Sequence, residues 1–297
     1  MIPNDELGRY VGLRNTSAGK ADAIDAFASV RLELESRPES ITLVRSTLAG
    51  LGEFLELDPE LLDDLKTAIS EACNNVVLHA YGGAPGPLIM SLEIGEDSFD
   101  VLVRDRGAGI RRASPSASRM GVGLAVISAL ANRAEFQSAP GEGTEVRMSF
   151  GAAGVAERIP REELLRDAPA RAPVALAGDI VASVSPPELL PQVMGRLVRA
   201  VAAGAHFSID RFPSLHHLTN AISARVADDG DGGEVSFSII GRPRQIELRV
   251  APLPAGSTGR LFAGRPPAAL QPLIESLTPE RFGAEELLHV VLAEPRP

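Results

Sequence analysis

Ser70-Glu71-Ala72-Cys73-Asn74-Asn75-Val76-Val77-Leu78-His79-Ala80-Tyr81 is the stretch from which the rest of the chain reads. Its helix begins upstream, where Asp58 can cap free backbone amides and Pro59 takes the first position, at which a missing N–H is harmless. The apolar spacing predicts a helix from there to about His79. Glu71, Asn75 and His79 fall at i, i+4 and i+8 and share one face. Leu65, Ile69, Ala72, Cys73 and Val76 form the adjacent apolar stripe. One side of the helix therefore packs on a core while a polar row lines a cleft. A carboxamide oxygen is a hard, neutral metal ligand. A carboxylate one turn away can accept the proton of a hydroxyl or water attacking a phosphoryl group.

Outward from this helix the pattern is regular. Val30–Glu35 alternates as a half-buried strand, and Ser40–Leu55 places Ile41, Val44, Leu48, Leu51 and Leu55 on one helical face. Tyr81–Pro87 reads as loop, and Leu88–Glu93 and Phe99–Arg104 as strands around Gly95-Glu96-Asp97. A helix over Val122–Asn132 and strands Glu135–Ser138 and Glu145–Phe150 follow. The expected architecture is α+β, a two-layer sandwich with helices on one face of a mostly antiparallel sheet.

Three further motifs sit at the ends of these elements. Val103-Arg104-Asp105-Arg106-Gly107-Ala108-Gly109-Ile110 follows a strand: Asp105 can accept a hydrogen bond from an exocyclic amine such as that of adenine, and Gly107 and Gly109 allow close backbone approach. Arg119-Met120-Gly121-Val122-Gly123-Leu124 opens a helix, and glycines before a helix start present free N–H groups to phosphate. Arg119 adds a guanidinium suited to a γ-phosphate. Thr144, after Gly143, can join Asp105 around a base.

In order and spacing these four motifs resemble those of the GHKL ATPases, the gyrase, heat-shock chaperone, histidine kinase and mismatch-repair families. Within them the chain is most similar to the anti-sigma-factor serine kinases of bacteria, through Asp63-Asp64-Leu65-Lys66-Thr67-Ala68-Ile69-Ser70-Glu71-Ala72-Cys73-Asn74-Asn75 and His79-Ala80-Tyr81. The resemblance covers about residues 28–150 and implies a Bergerat-type site for ATP and Mg²⁺. It implies Glu71 as general base toward a substrate serine, Asn75 as the Mg²⁺ ligand and Asp105 as the adenine reader. His79 and Thr144 complete the nucleotide site, and Gly107, Gly109, Gly121 and Gly123 flank a lid over about 111–119 that carries Arg119. The implied partners are an anti-anti-sigma (STAS-type) protein, which is phosphorylated, and a sigma factor, which is sequestered. The alternative is an ATP-gated binding switch without kinase activity.

The 297 residues suit two domains. Residues 1–27 read as a tail, 28–150 as the ATP-binding domain, 151–173 as a linker and 174–297 as a second α/β unit. That unit repeats the element order: strand 174–184, helices 189–203 and 213–226, strands 234–240 and 245–251, helix 268–277 and strand 287–293. Ala68-Ile69-Ser70 recurs as Ala221-Ile222-Ser223, Gly95 as Gly241, and Ile127 and Leu130 as Ile274 and Leu277, which points to a tandem duplication. At the same offsets Glu71, Asn75, Asp105, Gly107 and Gly109 fall on Ala224, Asp228, Ala251, Leu253 and Ala255. The second copy is expected to be degenerate and to bind no nucleotide. Since the family forms dimers, both a homodimer and an intrachain pseudo-dimer are expected forms. A net charge of −10 without a basic stripe argues against nucleic acid and anionic membrane as partners. A lone cysteine, Cys73, no apolar run of about 18 residues and no signal-peptide core make the expected location cytoplasmic. His216, His217 and His289 have no metal-ligand spacing.

Overall fold

The computed structural model describes residues 28–95, 98–109, 117–151, 176–230, 232–262 and 266–294, with only the backbone described over 117–121. The chain divides into two compact units, Met1–Arg166 and Asp167–Pro297. The expected tail (1–27) and nearly all of the expected linker lie outside the described residues, as does most of the expected lid.

In the first unit the order is β1 (Ala28–Glu35), α1 (Pro38–Phe54), α2 (Pro59–Asn75), a π-helical turn (Val76–Ala80), β2 (Pro87–Ile94), β3 (Ser98–Asp105), α3 (Ala117–Leu130), β4 (Arg133–Ala139) and β5 (Gly143–Gly151). The strands lie in the order β4-β5-β3-β2-β1, and each neighbouring pair runs antiparallel. The helices cover one face, with Leu32, Leu48, Leu51, Leu65, Ile69, Met90, Leu92, Ile127 and Met148 fully buried between the layers. Burial of alternate residues along β1 shows why period-two patterning locates the strand. The opposite face carries ion pairs such as Arg31–Glu33 and Arg133–Glu135.

Helix α2 starts as its sequence requires. Pro59 is at its first position, and Asp58 Oδ1 accepts from the Glu60 and Leu61 amides at 2.9 and 3.3 Å. Helix α1 runs through Gly50 and Gly52. A Cβ on Gly52 would strike the Leu62 side chain, so this glycine sets how closely α1 and α2 approach.

The second unit has β6 (Ile180–Ser185), α4 (Leu190–Gly204), α5 (Phe212–Asp229), β7 (Val235–Arg242), β8 (Gln245–Pro254), α6 (Ser257–Arg260), β9 (Ile274–Phe282) and β10 (Glu285–Ala293). Its strands lie in the order β6-β7-β8-β10-β9, all antiparallel. That is the strand order of the first unit, with β6, β7, β8, β10 and β9 where β1, β2, β3, β5 and β4 stand.

Two expectations fail here. The helix expected over 268–277 is a single turn, closed by the Ile274 amide on the Leu270 carbonyl at 3.0 Å, followed by β9. Leu270 and Leu273 are buried within that turn, which produced the helical spacing. β9 stands last in the sheet, where Pro279 can forgo a ladder bond. The pairing of Ile127 and Leu130 with Ile274 and Leu277 therefore joins a helix to a strand; the element standing in the place of α3 is the four-residue α6. Among the described residues, no helix is long and apolar enough to cross a membrane.

Candidate nucleotide site

A cavity of about 690 Å³ opens in the first unit between α2, the π-helical turn, the end of β3 and the β4–β5 hairpin. Ala72, Val76, Val103, Leu124, Phe136 and Val146 give it apolar walls, wide enough for a flat heteroaromatic base. Asn75, His79, Asp105, Gly107, Gly109 and Thr144, all expected from the sequence, line it as well.

Asp105 closes β3 and is only 2% exposed. Its Oδ1 accepts the Gly107 amide at 2.7 Å, and Thr144 stands beside the carboxylate. Burial pushes the Asp105 carboxyl above the usual carboxylate range, and the Gly107 amide and Thr144 only partly offset it. The Thr144 Oγ1 meets Ser138 Oγ at 3.2 Å, and Ser138 donates to the Gly143 carbonyl at 3.1 Å. Sequence reading missed Ser138, whose role depends on β4 pairing with β5, a contact without a local signal.

The glycines also allow close packing of the loop on neighbouring backbone. A Cβ on Gly107 would collide with the Ala80 carbonyl, and one on Gly109, at φ 71°, with the Ala139 carbonyl. A Cβ on Gly143 would collide with the Asp105 carbonyl. All three let the loop after β3 lie against its neighbours' backbone. The loop is held there by Ala108 N–H on the Ala80 carbonyl at 2.9 Å and Gly141 N–H on the Ala108 carbonyl at 3.0 Å.

Glu71 and Asn75 are half-buried on successive turns of α2. A Cβ on Gly123 would stand 3.0 Å from Glu71 Oε2 and 3.4 Å from Asn75 Oδ1, so both polar ends face this one glycine of α3. Glu71 stands outside the cavity lining, one turn before Asn75. Gly121 and Gly123 do not precede their helix: α3 begins at Ala117 and contains them and Arg119. The free N–H groups at that end belong to residues before 121, and the side chain of Arg119 lies outside the described residues. His79 is in the π-helical turn rather than on a continued α-helix, and it stands on the cavity wall.

A magnesium-bound nucleotide fits these groups. The Asn75 amide nitrogen is buried and has no hydrogen-bond partner, so the carboxamide end is left for a ligand. The cavity is lined both by that amide and by Asp105 and Thr144.

Residues 34–150 match the family of the histidine kinase-like ATPase domain. An anti-sigma F factor of Pasteuria penetrans is 32% identical over 133 residues, covering 40% of this chain and 87% of the relative. A serine-protein kinase RsbW of Bacillus mycoides (strain KBAB4) is 30% identical over 84 residues, 28% of this chain; here the chain spans about half, 52%, of the relative. Among solved structures, the histidine kinase domain from Erythrobacter litoralis EL346 blue-light activated histidine kinase matches at 20% identity and a TM-score of 0.28, covering 32% of this chain and 46% of that one.

Proposed function

Because the chain belongs to the anti-sigma-factor kinase family of histidine-kinase-like ATPases, we propose that residues 28–150 transfer the γ-phosphoryl group of ATP to a serine of a partner protein. The serine Oγ forms the new bond to the γ-phosphorus as the bond to the β,γ-bridging oxygen breaks and ADP leaves. Glu71 accepts the serine proton. Asp105, with Thr144, takes the adenine amino group at the base of the cavity. Asn75 offers an amide oxygen to Mg²⁺, which would supply charge neutralisation between the phosphates. His79, Gly107 and Gly109 shape the wall, and Arg119, Gly121 and Gly123 belong to the helix that faces the phosphates. The phosphoacceptor is an anti-anti-sigma protein of the STAS type, and the unphosphorylated partner competes with a sigma factor for the kinase. One relative is named an anti-sigma F factor, which supports a sigma factor as partner, and another a serine-protein kinase, which supports a protein serine as phosphoacceptor.

The observation that carries this reading is the convergence of Glu71 Oε2 and the Asn75 carboxamide on Gly123, beside a cavity that Asn75 and Asp105 both line. A pure binding switch needs no base at that position. The test is transfer of labelled γ-phosphate to a purified anti-anti-sigma protein by wild type and by Glu71→Ala. Equal transfer by both removes Glu71 from the mechanism. Intact ATP binding with no transfer to any partner favours an ATP-gated switch that sequesters without phosphorylating.

The second unit, in this reading, is a nucleotide-free copy of the first. Ala224 and Asp228 stand where the first unit has Glu71 and Asn75. Asp105→Ala is therefore expected to abolish all ATP binding by the whole chain, and residual stoichiometric binding would contradict it.

A further inference from the structure

The loop that carries Asp105 is tied, amide by amide, to the end of the Glu71–Asn75 helix. Arg106 N–H donates to the Tyr81 hydroxyl at 2.8 Å, Gly107 N–H to Asp105 Oδ1 at 2.7 Å, and Ala108 N–H to the Ala80 carbonyl at 2.9 Å. Two of these three consecutive amides are accepted by Tyr81 and Ala80. The Ala80 carbonyl is one that a helix end leaves without an intrahelical partner. The Tyr81 hydroxyl uses both of its capacities on main chain, since it also donates to the Pro87 carbonyl at 2.6 Å. It thus joins the start of β2 to the residue after Asp105. Its ring lies against Gly86, where a Cβ would collide with it, and lines the cavity. Burial, the largest influence on this phenol, raises it above its usual range, so the hydroxyl stays a donor throughout the neutral range.

We propose that Tyr81 is a positioning residue for adenine selection: its hydroxyl fixes the backbone just after Asp105, so that the carboxylate meets the purine 6-amino group at a set place. Neighbouring bonds at Gly107 and Ala108 prevent the loop from leaving, but they do not fix the Arg106 peptide. Without the hydroxyl, that peptide can rotate and carry the Asp105 carboxylate with it. This rests on Asp105 reading adenine, as proposed above. It assigns to Tyr81 no contact with the reacting atoms.

The test compares ATP with purine riboside triphosphate, which lacks the 6-amino group, by equilibrium binding to the full chain. Wild type, Tyr81→Phe, Asp105→Asn and the double variant are measured. Tyr81→Phe is expected to bind ATP about five- to tenfold more weakly, the loss of one net hydrogen bond. Purine riboside triphosphate should change by less than about twofold, since it has no 6-amino donor for the Asp105 carboxylate to accept from. In the Asp105→Asn background the same substitution should cost ATP binding almost nothing. Transfer at saturating ATP should keep its wild-type rate. Gly86→Ala, which pushes on the ring while keeping the hydroxyl, should produce the same selective loss should Tyr81→Phe prove too unstable to measure. Unchanged ATP affinity in Tyr81→Phe, or equal weakening of both nucleotides, overturns the inference. A wild type that binds no ATP overturns the proposed site itself, an outcome separate from either of these.

Discussion

Replacing Gly107 by Ala tests the site's construction most directly. Gly107 has an ordinary φ, so alanine is conformationally acceptable there and even reduces the entropy of the unfolded chain. Any loss must then come from the added methyl meeting the Ala80 carbonyl, a backbone group that cannot swing aside. To relieve that contact the loop must lift from the helix end. Lifting it breaks the 2.9 Å bond from Ala108 N–H to Ala80 and the 2.7 Å bond from residue 107 N–H to Asp105. A neutral hydrogen bond contributes about 1 kcal/mol net and one to a charged group about 1.5–3 kcal/mol, so the arrangement that binds adenine loses about 2–4 kcal/mol. That corresponds to ATP binding weaker by roughly 30-fold or more. Calorimetric titration with magnesium-ATP reads the affinity, and the unfolding midpoint is expected to fall by about 5 °C or more. Gly83→Ala is the control: φ is 92° and nothing stands within 4 Å, so it contributes only backbone strain of about 1–2 kcal/mol and leaves ATP affinity within about threefold. Should Gly107→Ala bind ATP like wild type and melt at the same temperature, the loop does not rest on Ala80 and the account of the site fails.

Glu71→Gln should lower phosphoryl transfer by about 10²-fold or more with ATP affinity little changed, the signature of a lost general base, and single-turnover assays separate the two. Because burial raises the Asp105 carboxyl, ATP affinity should fall on acidification at a higher pH than an ordinary aspartate would dictate, and this dependence should vanish in Asp105→Asn. The sign for stability is opposite: a raised folded-state value means the protonated group favours the fold, so this contribution is complete below the unfolded value and is lost as pH rises through the folded one, seen as the difference between wild type and Asp105→Asn in pH-dependent melting. Cys73, buried and with its thiol pushed up to about 12, should resist thiol reagents at pH 8 until the first unit unfolds; labelling at the native rate of a free thiol would contradict this. Glu286→Gln should lower the melting of the second unit by removing the charged acceptor of two amides, and should leave ATP affinity at the first site unchanged.

Much of the site was legible because its residues lie on elements whose own patterns are strong. The Asp58-Pro59 start and the Leu65–Ile69–Ala72–Val76 stripe orient α2, and that orientation alone puts Glu71 and Asn75 together. Asp105 was readable as the last residue of an apolar run. The π-helical turn was not, since Val76-Val77-Leu78-His79-Ala80 suits a continued α-helix; what changes its geometry is the loop bonded to Ala80, twenty-eight residues downstream of it. The same holds for Tyr81 and Ser138. Each acts through a partner brought near by the sheet, and neither has a spacing that marks it. The start of α3 was placed five residues late because Gly121 and Gly123 looked like loop. Inside a helix each glycine costs about 1 kcal/mol relative to alanine. At Gly123 a side chain would press on Glu71 and Asn75, and that tertiary reason overrides the local preference.

The second unit shows what the same strand order does when the site residues change. β3 stops at Asp105, and its loop turns back onto the helix end. β8 continues to Pro254, through Ala251 and Leu253, where the first unit has its acceptor and first loop glycine. Here a carboxylate on another strand serves the turn: Glu286, fully buried at the head of β10, takes the amides of Gly256 and Thr258 at 2.8 and 2.6 Å. Burial raises its carboxyl, but those amide bonds outweigh it and hold the group below the usual carboxylate range. Beside it Asp229, at the end of α5, accepts from Arg260 at 2.9 Å and from Arg225 at 3.2 Å. Two side-chain carboxylates thus hold two amides and two guanidinium groups at this end of the second unit. A triphosphate would meet like charge and would have to displace charge-assisted bonds of about 1.5–3 kcal/mol each. The first unit has its acceptor on β3 and leaves the buried Asn75 amide nitrogen without a partner on the wall of its cavity, where a ligand can complete it.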